Sequence, residues 1–115
     1  MSRPRWHILR DGDALTLARH VPARFDFVVR TTLGPGNPLR LAHQIRQDLW
    51  RALQSMRGFS PVVELRPTEA GWDVRVGGRA SGQVSAAHLR TARDVLENDR
   101  FRARWMRNAA RGCRS

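Results

Sequence analysis

The sequence has 115 residues, of which 41% are hydrophobic, with four Trp and four Phe, and this composition favours one buried core over wholesale disorder. Its 21 basic residues outnumber 10 acidic ones and give a formal net charge of +11, which favours a polyanionic partner. No apolar run approaches the roughly 18 residues of a membrane span, and the single cysteine allows no internal disulfide. We therefore expect one basic, cytoplasmic domain over residues 1–115, with a flexible tail at 112–115.

The first predicted element is a hairpin. Between Arg5 and Leu17, apolar residues lie on either side of Asp11-Gly12, a dipeptide that readily adopts the positive φ angles of a tight turn. The alternative is a short helix that begins after an Asp13 N-cap and runs to Ala18. Pro22 ends either element.

A strand, a loop and a long helix follow. Alternating apolar residues predict a half-buried strand from Arg24 to Thr32, with Phe25, Phe27 and Val29 on its apolar face. Prolines and glycines then form a loop up to Asn37, the predicted N-cap of a helix from Pro38 to Arg57 that ends at Gly58. The apolar positions of this helix recur at helical spacing: Leu41, Ala42, Ile45, Leu49, Ala52, Leu53 and Met56.

The second half of the sequence predicts a hairpin and two helices. Short alternating runs at residues 62–66 and 72–76 are joined by a turn-like segment, and residues 77–83 are predicted to be a flexible connector. Ser85 is the predicted N-cap of the next helix. Asn98-Asp99 interrupts that helix, and the last helix, residues 100–110, should pack through Phe101, Trp105 and Ala109.

This order of elements predicts an α+β fold, in which a small mixed or antiparallel sheet carries one long helix and two C-terminal helices on one face. If the strands around Phe25 and Val63 lie parallel in one sheet, the helix between them should form a right-handed crossover. The oligomeric state is left open, with a homodimer through an exposed sheet edge as one option.

An arginine ridge on the last helix is the most informative pattern. Its four members fall on one narrow face over about 16 Å, and they are Arg100, Arg104, Arg107 and Arg111. Guanidinium groups bind phosphates and carboxylates through paired hydrogen bonds. The simpler reading is a solvated face, but such faces usually carry interspersed acids, and only Asp99 is present here.

The long helix supplies the other candidate binding residues. Arg40 and Arg51 lie opposite its apolar stripe, while Arg46 and Trp50 lie at the border of that stripe. Trp50 beside Arg46 could stack on an unpaired base, although a tryptophan in such a position more often belongs to the core.

The sequence gives little support for catalysis, a cofactor or a metal. The four histidines are scattered, and the glycine-rich segment 77–82 lacks the Lys-Ser/Thr of a phosphate-binding loop. A metal-dependent enzyme would require Asp26, Glu64 and Asp73 to converge. We therefore expect a binding protein without an enzymatic activity, a cofactor or a metal.

The leading hypothesis is that the arginine ridge engages nucleic acid, DNA or RNA, mainly through its phosphates. The alternative is an accessory protein that docks an acidic partner protein. The arginines themselves do not separate the two, because guanidinium groups suit phosphates and carboxylates alike. All 21 basic residues are Arg, and a GC-rich, bacterial-like genome explains this preference over Lys but not the excess over acids. Exposed aromatic residues within the basic surface would favour nucleic acid, and Trp50 and Trp6 are the candidates.

Overall fold

The structure, a computed structural model, describes residues 6–112. Eight elements follow one another in the chain: β1 (His7–Asp11), β2 (Ala14–Ala18), β3 (Phe27–Leu33), α1 (Pro38–Leu53), β4 (Ser60–Thr68), β5 (Gly71–Arg79), α2 (Ala86–Glu97) and α3 (Asp99–Gly112). The tail was predicted at residues 112–115, but Gly112 belongs to α3; the rest of the predicted tail, including Cys113, lies outside the described residues.

The five strands form one antiparallel sheet in the order β1-β2-β4-β5-β3. Helices α1 and α2 contact the sheet directly, and α3 packs against both of them. Leu17, Val63, Val76 and Val29 form one row of cross-strand neighbours on the helix-facing side, and all four are buried. The predicted α+β fold is therefore confirmed, with the antiparallel form of the sheet.

The strands at the two ends of α1 run in the same direction, since both β3 and β4 pair antiparallel with β5. They are not neighbours, because β5 lies between them. Helix α1 therefore connects two strands that lie on either side of β5. Its apolar stripe packs on the middle of the sheet.

The N-terminal hairpin is confirmed, and the alternative helix at Asp13 is wrong. Gly12 has a φ of 61° in the turn between β1 and β2. Leu15 and Leu17 are both fully buried, which is the two-residue period of a strand with one face on the core. This burial stabilises the extended form over a short helix.

Two predicted boundaries are wrong at their ends. Strand β3 begins at Phe27 instead of Arg24, and the chain bends at Asp26, whose side chain accepts a hydrogen bond from the Ala80 backbone amide. Helix α1 ends at Leu53 instead of Arg57, because the Met56 amide donates to the Leu53 carbonyl in a tighter turn. Met56 remains buried beyond the end of the helix.

The predicted connector over residues 77–83 is wrong for its first three residues, which belong to β5. A side chain at Gly77 would collide with the Phe27 carbonyl oxygen, and Gly78 has a φ of 148°. Glycine is therefore required here by the close approach of β3 and β5.

The two C-terminal helices confirm the sequence pattern. Ser85 caps α2, and its hydroxyl accepts a hydrogen bond from the His88 amide. Asn98 ends α2 in an extended conformation, and its side chain accepts from the Phe101 amide at the start of α3. Trp105 and Ala109 are fully buried, so α3 packs through the predicted stripe.

Candidate nucleic-acid interface

A buried carboxylate joins α1 to α3. Asp48 is 6% exposed, and its Oδ2 accepts a hydrogen bond of 2.7 Å from the indole Nε1 of fully buried Trp105. Arg104 forms an ion pair with the same oxygen, and its guanidinium carbon lies 5.1 Å from the centre of the Phe101 ring. Arg104 is thus neutralised and held in place by neighbouring side chains.

Asp48 was not among the residues predicted from the sequence to lie in the core or in a binding site. A signal was present, because Asp48 lies three residues after Ile45 and seven after Leu41, at the edge of the apolar stripe of α1. An acidic residue at such a position needs a buried donor, and an indole N–H is a common one. The Trp105 stripe on α3 offered that donor.

The other ridge residues are placed differently from Arg104. Arg100 and Arg107 are exposed, one turn before and one turn after it. The backbone of Arg111 belongs to α3, but its side chain lies outside the described residues. The ridge therefore offers two exposed cations of known position and one that is paired.

Helix α1 brings two further arginines to the ridge. Asp48 meets Trp105, and the Asn37 amide donates to the Ala109 carbonyl at 3.3 Å, so α1 and α3 run past each other in opposite directions. Exposed Arg40 and Arg51 lie within about a quarter turn of Asp48 around α1, on the side of Asp48 that is away from the apolar stripe. We call the resulting surface the α1–α3 basic face, and it consists of Arg40, Arg51, Arg100, Arg104 and Arg107.

The remaining predicted residues lie on the opposite flank of α1. Arg46 precedes Asp48 by two positions, which places it about 160° away around the helix. Its guanidinium carbon lies 4.6 Å from the centre of the Trp6 ring, and Trp50 is 45% exposed one turn further along. The sequence-predicted residues therefore form two surfaces instead of one.

Arg46 and Trp50 line a cavity of about 520 Å³, here called the α1–β4 cavity. It opens between α1, the start of β4 and the chain that follows β2, and its polar and aromatic walls include Trp6, Arg19, His20, Arg46, Trp50 and Ser60. His20 Nδ1 and Ser60 Oγ are 3.1 Å apart, within hydrogen-bond distance. No carboxylate lines the cavity among the described residues.

The electrostatics of this cavity disfavour additional positive charge. Burial, followed by the nearby charge of Arg19, lowers the pKa of Arg46. Burial and then Arg46 lower the pKa of His43, whose ring meets Trp6 edge to face, so the neutral imidazole is favoured. The Nε atom of Arg46 is buried and has no hydrogen-bond partner within residues 6–112.

The carboxylates of the metal-enzyme hypothesis do not form a cluster. Glu64 accepts hydrogen bonds from Arg75 at 2.6 Å and from Arg66, whereas Asp26 pairs with Arg24 near the start of β3. Within residues 6–112, no group of three or more His, Cys, Asp or Glu side chains could hold a metal ion. Asp26 and Glu64 instead pair with neighbouring arginines, and Asp73 is in no ion pair within residues 6–112.

Comparisons with protein-family models, with curated proteins and with solved structures gave no match for this chain. None of the helices within residues 6–112 has the length and apolar character that crossing a bilayer requires. The two basic surfaces on the flanks of α1 are therefore the features from which a function can be argued.

Proposed function

We propose that this chain is a small, cytoplasmic, non-enzymatic binding protein that engages nucleic acid through the α1–α3 basic face, mainly by phosphate contacts. The proposal rests on four arginines of this face that form no ion pair within residues 6–112. Within residues 6–112, the ion pairs are Arg24–Asp26, Arg66–Glu64, Arg75–Glu64 and Arg104–Asp48. Arg40, Arg51, Arg100 and Arg107 take part in none of them.

Exposed arginines without a neighbouring acid suit a row of phosphates. Each guanidinium presents a planar fork of donors, and no acidic side chain of residues 6–112 forms an ion pair with these four. Contacts of this kind position the protein on a strand and carry little sequence information. We therefore expect similar affinity for unrelated sequences.

The alternative partner, an acidic protein surface, would use the same four arginines. Exposed aromatic residues do not decide between the two partners on this face, because Trp50, which is 45% exposed, lines a cavity with Arg19 and Arg46 on the opposite flank of α1. The two partners are therefore compared directly in the binding measurement.

A salt-titrated anisotropy measurement tests the proposal. Fluorescein-labelled duplex DNA, single-stranded DNA and RNA, and a labelled polyglutamate peptide, are titrated with the full chain between about 50 and 200 mM salt. Four phosphate contacts predict a log–log slope of about −3.6 on duplex DNA. Undetectable binding of every nucleic acid at about 50 mM salt, with tight binding of polyglutamate, would favour the acidic-protein alternative.

A further inference from the structure

The α1–β4 cavity combines positive charge with aromatic surface, on the opposite flank of α1 from the basic face. Its volume of about 520 Å³ is within the range of pockets that hold small organic ligands, about 300 to 1,000 Å³. Trp6 and Trp50 provide apolar walls, and Arg19 and Arg46 provide the charge.

Among residues 6–112, no acidic side chain lines this cavity beside its arginines. The charge of Arg19, after burial, lowers the pKa of Arg46, so the two guanidinium groups lie near each other at one site. The buried Nε of Arg46 is a donor without an acceptor within residues 6–112. A buried donor without a partner is unfavourable, so an anion held at the Arg46 guanidinium would be bound favourably.

The tryptophan side chains of the cavity favour a ligand that contains a planar ring. Arg46 already covers one face of the Trp6 ring, at 4.6 Å from the ring centre. Trp50 remains 45% exposed and lies one turn further along α1. A planar ring can therefore stack on Trp50 while an attached anion lies near Arg46 and Arg19.

We propose that the α1–β4 cavity binds one unpaired nucleotide, with its base on Trp50 and its phosphate at Arg46 and Arg19. A nucleotide has the required planar ring and anion within one small molecule. The same chemistry is offered by a free nucleoside monophosphate and by one unit of a single strand. The proposal goes beyond the function proposed above, because it needs none of the residues of the α1–α3 basic face.

Calorimetric titration of the full chain tests this site with four probes: adenosine monophosphate, adenosine, inorganic phosphate and an oligothymidylate of about eight nucleotides. Trp50→Leu should weaken nucleotide binding at least fivefold, roughly the smallest effect expected for loss of one stacked base. Arg19→Gln should weaken it about two- to fivefold, as for an exposed charge pair. Arg30→Gln is the matched control, since it removes one exposed charge from the opposite side of the sheet, outside both the cavity and the basic face.

Binding of the monophosphate with these effects would identify a free nucleotide as a ligand. Binding of the oligonucleotide alone, with the same effects, would identify a unit of a single strand. The proposal is overturned if neither probe binds, if inorganic phosphate binds as tightly as the monophosphate, or if Trp50→Leu and Arg19→Gln both leave affinity unchanged. Arg46→Gln is a further test when urea unfolding shows that it folds.

This experiment separates the cavity from the basic face. Arg100→Gln combined with Arg107→Gln should weaken duplex binding while leaving affinity for the monophosphate within about twofold. Failure of the cavity proposal would thus leave duplex binding intact, and failure of the basic-face proposal would leave monophosphate binding intact.

Discussion

Replacing Asp48 with leucine removes the carboxylate that joins α1 to α3. The buried indole N–H of Trp105 then has no acceptor, and hydrogen bonds to charged groups contribute about 1.5–3 kcal/mol each. The ion pair with Arg104 adds about 0.2–1 kcal/mol, since the Arg104 side chain is 43% exposed and solvent screens the pair. We therefore expect Asp48→Leu to lower the free energy of unfolding by about 2–4 kcal/mol.

Urea unfolding followed by tryptophan fluorescence measures this loss. Asp48→Asn is the matched control, because its amide oxygen can still accept from Trp105, and it should lose only about 1 kcal/mol. If Asp48→Leu were within about 0.5 kcal/mol of the wild type, or no less stable than Asp48→Asn, the role of the Asp48–Trp105 contact would be refuted.

Two further predictions concern the core and the sheet. Ile45→Ala and Leu49→Ala should each lower the free energy of unfolding by about 2–5 kcal/mol, since both side chains are fully buried. Losses below about 1 kcal/mol for both variants would contradict the packing of α1 against the sheet. Burial raises the pKa of Glu64, but hydrogen bonds from Arg75 and Arg66 outweigh it and hold the pKa below 4.5. The stability that Glu64 contributes is therefore present above that pH and is lost as the pH falls through the folded-state pKa. The free energies of unfolding of wild type and Glu64→Gln should therefore converge in acid. A difference that stays constant with pH would argue against the ion pairs.

The parts of the fold that could be predicted from sequence are those where a local pattern and the tertiary environment agree. The apolar stripe of α1, the Ser85 cap and the Asp11-Gly12 turn all depend on neighbouring residues in the chain. Gly77 was misread, because its glycine is required by the approach of β3, a segment about fifty residues earlier. No local pattern carries that information.

The candidate site was predicted in part for the same reason. Helical spacing correctly placed Arg100 and Arg107 on one exposed face, but it could not show that Arg104 pairs with a buried acid on another helix. Helical spacing placed Arg51 opposite the apolar stripe and Arg46 at its border, but it could not show that α3 packs against only one side of α1, so both were assigned to one binding surface. Which flank of a helix is covered depends on tertiary contacts.

The salt dependence of duplex DNA binding measures whether the α1–α3 basic face contacts phosphates. Arg100→Gln combined with Arg107→Gln removes two exposed, unpaired cations from this face. Arg30→Gln combined with Arg66→Gln, of which Arg66 pairs with Glu64, removes two arginines from the opposite side of the sheet as a control. We predict that the log–log slope of the first variant becomes shallower by about 1.8, with a much smaller change in the control. An unchanged slope in the Arg100/Arg107 variant at wild-type stability, or an equal change in both variants, would contradict this prediction.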